Sequence, residues 1–222
     1  LDANGKKVAV TEDVRNGNGR AVKSRLWTAN RVDRIDEPLN AICWIMKDPT
    51  LPPMMKLNNS SLAAAMGATL ATKRTSAEAL AKGVDPNALV IESYANPFRT
   101  YPLSMDYERF KALIDSGVNC YVLNTGEFMG KKVTKENTFG CIEAVVDGTA
   151  QFKPMGNLPG VEYLPVEGFD VNLDDNAYAE AFAARMSDRV KFVESRETFN
   201  GGVDKLPEDA LAALKSVMDA VK

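Results

Sequence analysis

Apolar residues along this chain fall into short continuous runs alternating with stretches of helical spacing. Ala41-Ile-Cys-Trp-Ile-Met46 is apolar throughout and is ended by Asp48-Pro49, as expected for a strand in the interior of a sheet. Leu89-Val-Ile-Glu-Ser-Tyr94 and Tyr121-Val-Leu123 read the same way. Between them, Ser60 or Ser61 caps a helix running to about Thr72, with Leu62, Ala65 and Met66 on one face. Another helix follows Ser104. Asp106 and Glu108 sit near its positive end, Tyr107, Phe110 and Ile114 share a face, and Gly117 is the stop. Asn137 or Thr138 caps a third, with Phe139, Ile142 and Val146 at helical spacing before Gly148. The order strand, helix, strand, helix, strand defines an α/β fold, a mixed sheet with flanking helices.

Residues 150–172 are rich in Pro and Gly and read as an irregular connection. Beyond it, Asp174 or Asp175 opens a helix carrying Tyr178, Phe182 and Arg185, and a last amphipathic helix starts near Pro207 with Leu211, Leu214 and Met218 inward. The expected organisation is therefore an α/β core over residues 1–150 and a second segment, 151–222, whose helices pack on it.

Composition narrows the class. With 222 residues and 45% hydrophobic content the chain can bury a substantial core. No apolar run approaches the roughly 18 residues a membrane helix needs, and the first residues lack a signal-peptide core, so a cytoplasmic protein without membrane partners is expected. Cys43, Cys120 and Cys141 match no zinc spacing and read as reduced thiols. There is no histidine, which removes Ser-His-Asp and Cys-His nucleophile systems and the commonest general base. Residues 1–34 carry eight basic side chains against four acidic ones, whereas residues 155–222 carry thirteen acids against seven bases. The net charge of −3 and a pI near 5.2 give no electrostatic footprint for nucleic acid.

The chemistry concentrates in Cys120-Tyr-Val-Leu-Asn-Thr-Gly126, followed by Gly130-Lys131-Lys132 and Asn137-Thr138. A buried strand here delivers a polar, glycine-punctuated loop beside basic side chains and a helix start, an arrangement suited to holding a nucleotide. Asp174-Asp175 could be a metal pair but stands where a helix cap is wanted.

The order of short signposts resembles a family. Asn18-Gly19-Arg20, Leu51-Pro52-Pro53, Ala71-Thr72-Lys73-Arg74, Asn96-Pro97-Phe98, Tyr121-Val-Leu-Asn124-Thr125-Gly126, Gly130-Lys131-Lys132 and Asn137-Thr138 run collinearly with the C-terminal half of ATP-dependent phosphoenolpyruvate carboxykinases. The family counterparts are Asn-Thr-Arg, Leu-Pro-Pro-Val, Gly-Thr-Glu-Arg, Gly-Ala-Pro-Phe, Leu-Val-Asn-Thr-Gly-Trp, Gly-Lys-Arg and Asp-Thr-Arg. The likeness spans about residues 18–146 and is loose beyond 150.

The resemblance implies the fold of that family's C-terminal lobe. It places Arg20 as a catalytic contact to the terminal phosphate and the carboxylated substrate, a task suited to a planar, permanently charged fork. Asn124, Thr125 and Gly126 fall on the loop beside the nucleotide, and Lys132 and Thr138 on its adenine or ribose side. ATP with Mg²⁺ or Mn²⁺ would be the cofactors, acting on a small-molecule substrate in decarboxylation and phosphorylation of oxaloacetate. Neither the P-loop nor paired metal-binding carboxylates occurs in this chain, so it is expected to be the C-terminal part of a longer protein, inactive without its missing N-terminal part. Glu127 replaces the family tryptophan, Lys132 an arginine, and Phe139 the arginine after the threonine. These departures keep an alternative in play, a non-catalytic nucleotide-binding or regulatory domain on the same fold.

Overall fold

A computed structural model describes residues 4–5, 36–73, 82–85 and 87–221. The chain divides into two compact units, Leu1–Pro38 with Lys73–Ala88, and Leu39–Thr72 with Leu89–Lys222. Arg20 and Trp27 lie outside the described residues. The larger unit is α/β, built on a mixed five-stranded sheet.

Strand β1 (Ala41–Met46) pairs in parallel with β5 (Asn119–Asn124), and β5 pairs antiparallel with β2 (Met54–Leu57). Beyond β2 come β9 (Val161–Tyr163) and β8 (Lys153–Pro154), both antiparallel, giving the order β1-β5-β2-β9-β8. The apolar run 41–46 therefore forms one edge of this sheet, not its interior, and the buried run is β5, enclosed on both sides. The Pro- and Gly-rich stretch expected to be irregular supplies β8 and β9, so the sheet continues across residue 150. The expected strand 89–94 is cut short. β4 (Leu89–Ile91) pairs with β3 (Ala71–Lys73) in a separate two-stranded sheet, after which the chain turns through Ser93–Ala95 with Tyr94 at φ 54°.

Helix α1 (Ser60–Ala68) starts one residue earlier than its serines suggest, because the Asn59 side chain accepts from the Leu62 N–H. It also ends before Thr72, which belongs to β3. Helix α2 (Leu103–Asp115) stops as expected at Gly117, whose φ of 102° suits a residue without Cβ. With α4 (Asn176–Ser195) and α5 (Glu208–Asp219), these helices cover the sheet face bearing Trp44, Met46, Met55, Cys120 and Val122. Asp175 caps α4 by accepting from Ala177 and Tyr178, which accounts for its carboxylate without a metal.

Helix α3 (Lys135–Val146) lies on the opposite face, where Cys141 packs with Tyr121, Leu123, Met54 and Leu164. Its cap is Thr134 rather than Asn137 or Thr138. Asn137 instead completes a capping box, its Oδ1 accepting from the Thr134 N–H at 3.0 Å. The residues read at helical spacing, Phe139, Ile142 and Val146, are exposed, and the helix packs through Cys141, Ala144 and Val145. Small residues suffice there because the covered sheet face already carries Tyr121 and Leu123. Among the described residues no helix is long and apolar enough to cross a membrane.

Candidate functional site

Because β1 and β5 are parallel and in register from Ala41↔Asn119 to Met46↔Asn124, their carboxyl ends lie side by side. The loops leaving them, residues 47–53 and 125–134, emerge at one end of the sheet, where open α/β sheets ordinarily place ligands. A short hairpin, β6 (Glu127–Phe128) with β7 (Lys131–Lys132), shapes the second loop before Thr134 opens α3.

Asn124 organises this junction. It is completely buried, and its Nδ2 points at the carbonyls of Asp48 (3.0 Å), Leu51 (2.5 Å) and Glu127 (2.8 Å), while its Oδ1 accepts from the Gly126 N–H at 3.0 Å. Its amide is thus spent on the loop backbone. Thr125 donates its N–H to the Met46 carbonyl at 2.9 Å. A Cβ at Gly126 would stand 3.2 Å from Lys47 Cβ and 3.3 Å from its Cα, so the glycine lets two loops touch.

Thr125 and Thr138 come together across a small pocket of about 160 Å³ that they line with Val133, Thr134, Lys135 and Phe139. Thr138 donates its hydroxyl to the Thr134 carbonyl at 3.1 Å, the usual back-bond of a threonine in a first turn. Of the residues singled out from sequence, Thr125 and Thr138 therefore face the pocket. Asn124 and Gly126 build the loop behind it, and exposed Lys132 lies on β7, outside the lining. Lys131 is turned away altogether: its Nζ donates to the Gly168 carbonyl at 2.6 Å and sits 4.7 Å from the centre of the Phe169 ring.

The positive end of α3 is partly occupied by its own side chains. Thr134 Oγ1 takes the Asn137 N–H, and the Glu136 carboxyl is held below its usual range by the Thr134 hydroxyl and by its own backbone N–H. An incoming anion would compete with Glu136 there.

The first loop is pinned by a buried charge pair that sequence reading did not find. Arg189 of α4, fully enclosed, donates through Nη2 to Asp48 Oδ2 at 2.8 Å, and through Nη1 to the Thr69 carbonyl. Arg185 Nε lies 3.6 Å from the same carboxylate oxygen. Asp48 Oδ1 accepts from the Thr50 N–H (3.1 Å) and hydroxyl (2.8 Å), and Tyr178 donates to the Thr50 carbonyl at 3.0 Å. Burial disfavours the Asp48 anion, but Arg189, the Thr50 N–H, Arg185 and the Thr50 hydroxyl outweigh it and hold the carboxyl below the usual range. One signal was present in the sequence. Arg189 follows Tyr178, Phe182 and Met186 on the buried face of one helix, where a charge demands a partner.

Among the described residues no group of three or more Cys, Asp or Glu side chains could hold a metal ion. The small pocket is below the several hundred Å³ of a complete ligand site. No protein-family model matches the chain, and no curated protein matches it significantly.

Proposed function

We propose that this chain contributes one wall of a nucleotide pocket in a carboxykinase-like protein carrying out ATP-dependent phosphoryl transfer with decarboxylation of oxaloacetate. The observation that carries the reading is the loop after β5, which leaves the sheet beside the parallel β1 and sets Thr125 across a small pocket from Lys135 and Thr138 in the first turns of α3. The collinear signposts from Asn18 to Thr138 support it. Catalysis of this kind rests on positioning and charge neutralisation. The threonines and Lys135 would orient the nucleotide, Arg20 would meet the transferred phosphoryl group, and the metal ligands would come from outside the described residues.

The test is calorimetric titration of the full protein with ATP and Mg²⁺, alongside Thr125→Val and Thr138→Val. Each variant is expected to weaken binding about fivefold or more, as for a lost hydrogen bond to a charged or polar ligand. In the complete protein, Arg20→Ala is expected to lower turnover by orders of magnitude. Absence of any ATP binding by the complete protein would overturn the reading. A non-catalytic nucleotide-binding domain is the second reading. It is favoured by Phe139 at the pocket edge in place of the family arginine and by Lys131 being tied to Gly168. ATP affinity without oxaloacetate-dependent turnover would select it.

A further inference from the structure

We propose that Arg189 and Asp48 are positioning residues for the 125–134 loop, a buried latch that lets helix α4 determine where Thr125 stands. The inference rests on reading that loop as a nucleotide site.

The connections are continuous. Arg189 grips Asp48 Oδ2, Asp48 Oδ1 folds the backbone back through Thr50, and the carbonyls of Asp48 and Leu51 are thereby aimed at Asn124 Nδ2. Asn124 in turn holds the Gly126 N–H and the Glu127 carbonyl, and the Gly126 carbonyl accepts from the Val133 N–H at 2.9 Å, one residue before the cap of α3. Met46, whose carbonyl receives the Thr125 N–H, also has its sulfur 3.7 Å from Arg189 Nη2. Tyr178 adds a second tie from α4, to the Thr50 carbonyl.

Stability alone is a poor explanation for this pair. A buried ion pair is often matched or bettered by apolar residues of similar volume, and the neighbours of Arg189 on α4 are Phe182, Met186, Val190 and Val193. The pair even leaves a cost behind, since Arg189 Nε is buried with no hydrogen-bond partner among the described residues. What an apolar replacement could not do is fix the direction of the Asp48 and Leu51 carbonyls. Directional bonds to a loop backbone specify one loop geometry, and misplacement by a fraction of an ångström at a binding site is costly.

Arg189→Lys keeps the charge but loses the planar fork that spans Asp48 and Thr69, and Tyr178→Phe removes only the tie to Thr50. Leu214→Val, in the α5 core, is the comparison with no part in the latch. Amide hydrogen exchange at Thr125, Gly126 and Val133 and calorimetric affinity for ATP with Mg²⁺ are measured on all three at matched distance below their melting temperatures. The expected result is that Arg189→Lys and Tyr178→Phe speed exchange at these amides about tenfold, equivalent to ~1.4 kcal/mol of local opening. Both are expected to weaken ATP binding about fivefold or more, while Leu214→Val does neither. If exchange and affinity simply follow melting temperature in all three, or stay at wild-type values in the latch variants, the proposal is overturned. If the complete wild-type protein binds no ATP, the nucleotide reading fails separately, and the exchange comparison alone decides the latch. Should Arg189→Lys not fold, Tyr178→Phe decides.

Discussion

Asn124→Ala tests the idea that one side chain holds the two loops together. The carboxamide is fully enclosed, and its two N–H groups serve three carbonyls at 2.5 to 3.0 Å while its oxygen receives the Gly126 N–H. Truncation leaves up to three backbone groups without a partner, since the Asp48 carbonyl keeps the Leu51 N–H at 3.2 Å. At about 1 kcal/mol net for each, the loss is ~3 kcal/mol. A domain of ordinary stability, roughly 5–15 kcal/mol, would remain folded but with a much lower denaturation midpoint. Asn124→Asp separates this account from a packing account. The aspartate has nearly the same shape, so packing alone expects it to be milder than alanine. The hydrogen-bond account expects the reverse at pH 7, because a second oxygen would face the carbonyls of Asp48, Leu51 and Glu127 with nothing to donate. Urea titrations at constant m-value give both differences. An Asn124→Asp protein as stable as wild type, or an Asn124→Ala loss below about 1 kcal/mol, would refute the reasoning.

Gly67→Ala should destabilise although alanine is the better helix former, since its Cβ would lie 2.6 Å from Tyr94 Cε1 and 2.8 Å from Trp44 Cζ2. Overpacking of this kind costs about 1–3 kcal/mol, and a raised melting temperature would contradict it. Thr134→Ala removes the acceptor of the Asn137 N–H and should cost ~1 kcal/mol, read by chemical denaturation, with Thr134→Ser restoring most of it. The depressed carboxyl of Asp48 contributes stability that is present above the unfolded carboxylate pKa of about 3.9 and lost as pH falls through the lower folded value. Asp48→Asn should therefore be less stable than wild type at pH 6 but show a shallower acid limb between about pH 5 and pH 2. Parallel acid limbs would show that Asp48 does not titrate with folding.

Element type was legible wherever local pattern and tertiary surroundings agreed. The runs at 41–46 and 121–123 are strands, and the periodic segments beginning near residues 60, 103, 176 and 208 are helices, because a buried apolar face is what both pattern and packing require, whereas the helix near 135 forms although its periodic apolar residues are exposed. The failures share a cause. Met54–Leu57 and Val161–Tyr163 are too short for periodicity to mark and are made strands by pairing partners distant in sequence. The caps at Asn59 and Thr134 were displaced by a residue or more because several Ser, Thr and Asn stand together at each start, and only backbone geometry selects among them.

The site shows the same division more sharply. Thr125 and Thr138 were singled out from a resemblance, and both line the small pocket. Asn124 and Gly126 come from the same stretch yet build the loop behind it, one through hydrogen bonds to its backbone and the other through its missing side chain. Asp48 and Arg189 belong to no motif, and 141 positions separate them. Their relation exists only once α4 is laid against the end of β1, a long-range event that no local window contains. A buried arginine on an otherwise apolar helix face is nonetheless a legible anomaly, because an unpaired charge there would be prohibitively costly and so must have a partner. The side chain that departs from its element's pattern therefore points to where distant elements meet, and here that place is the foot of the loop that carries Thr125.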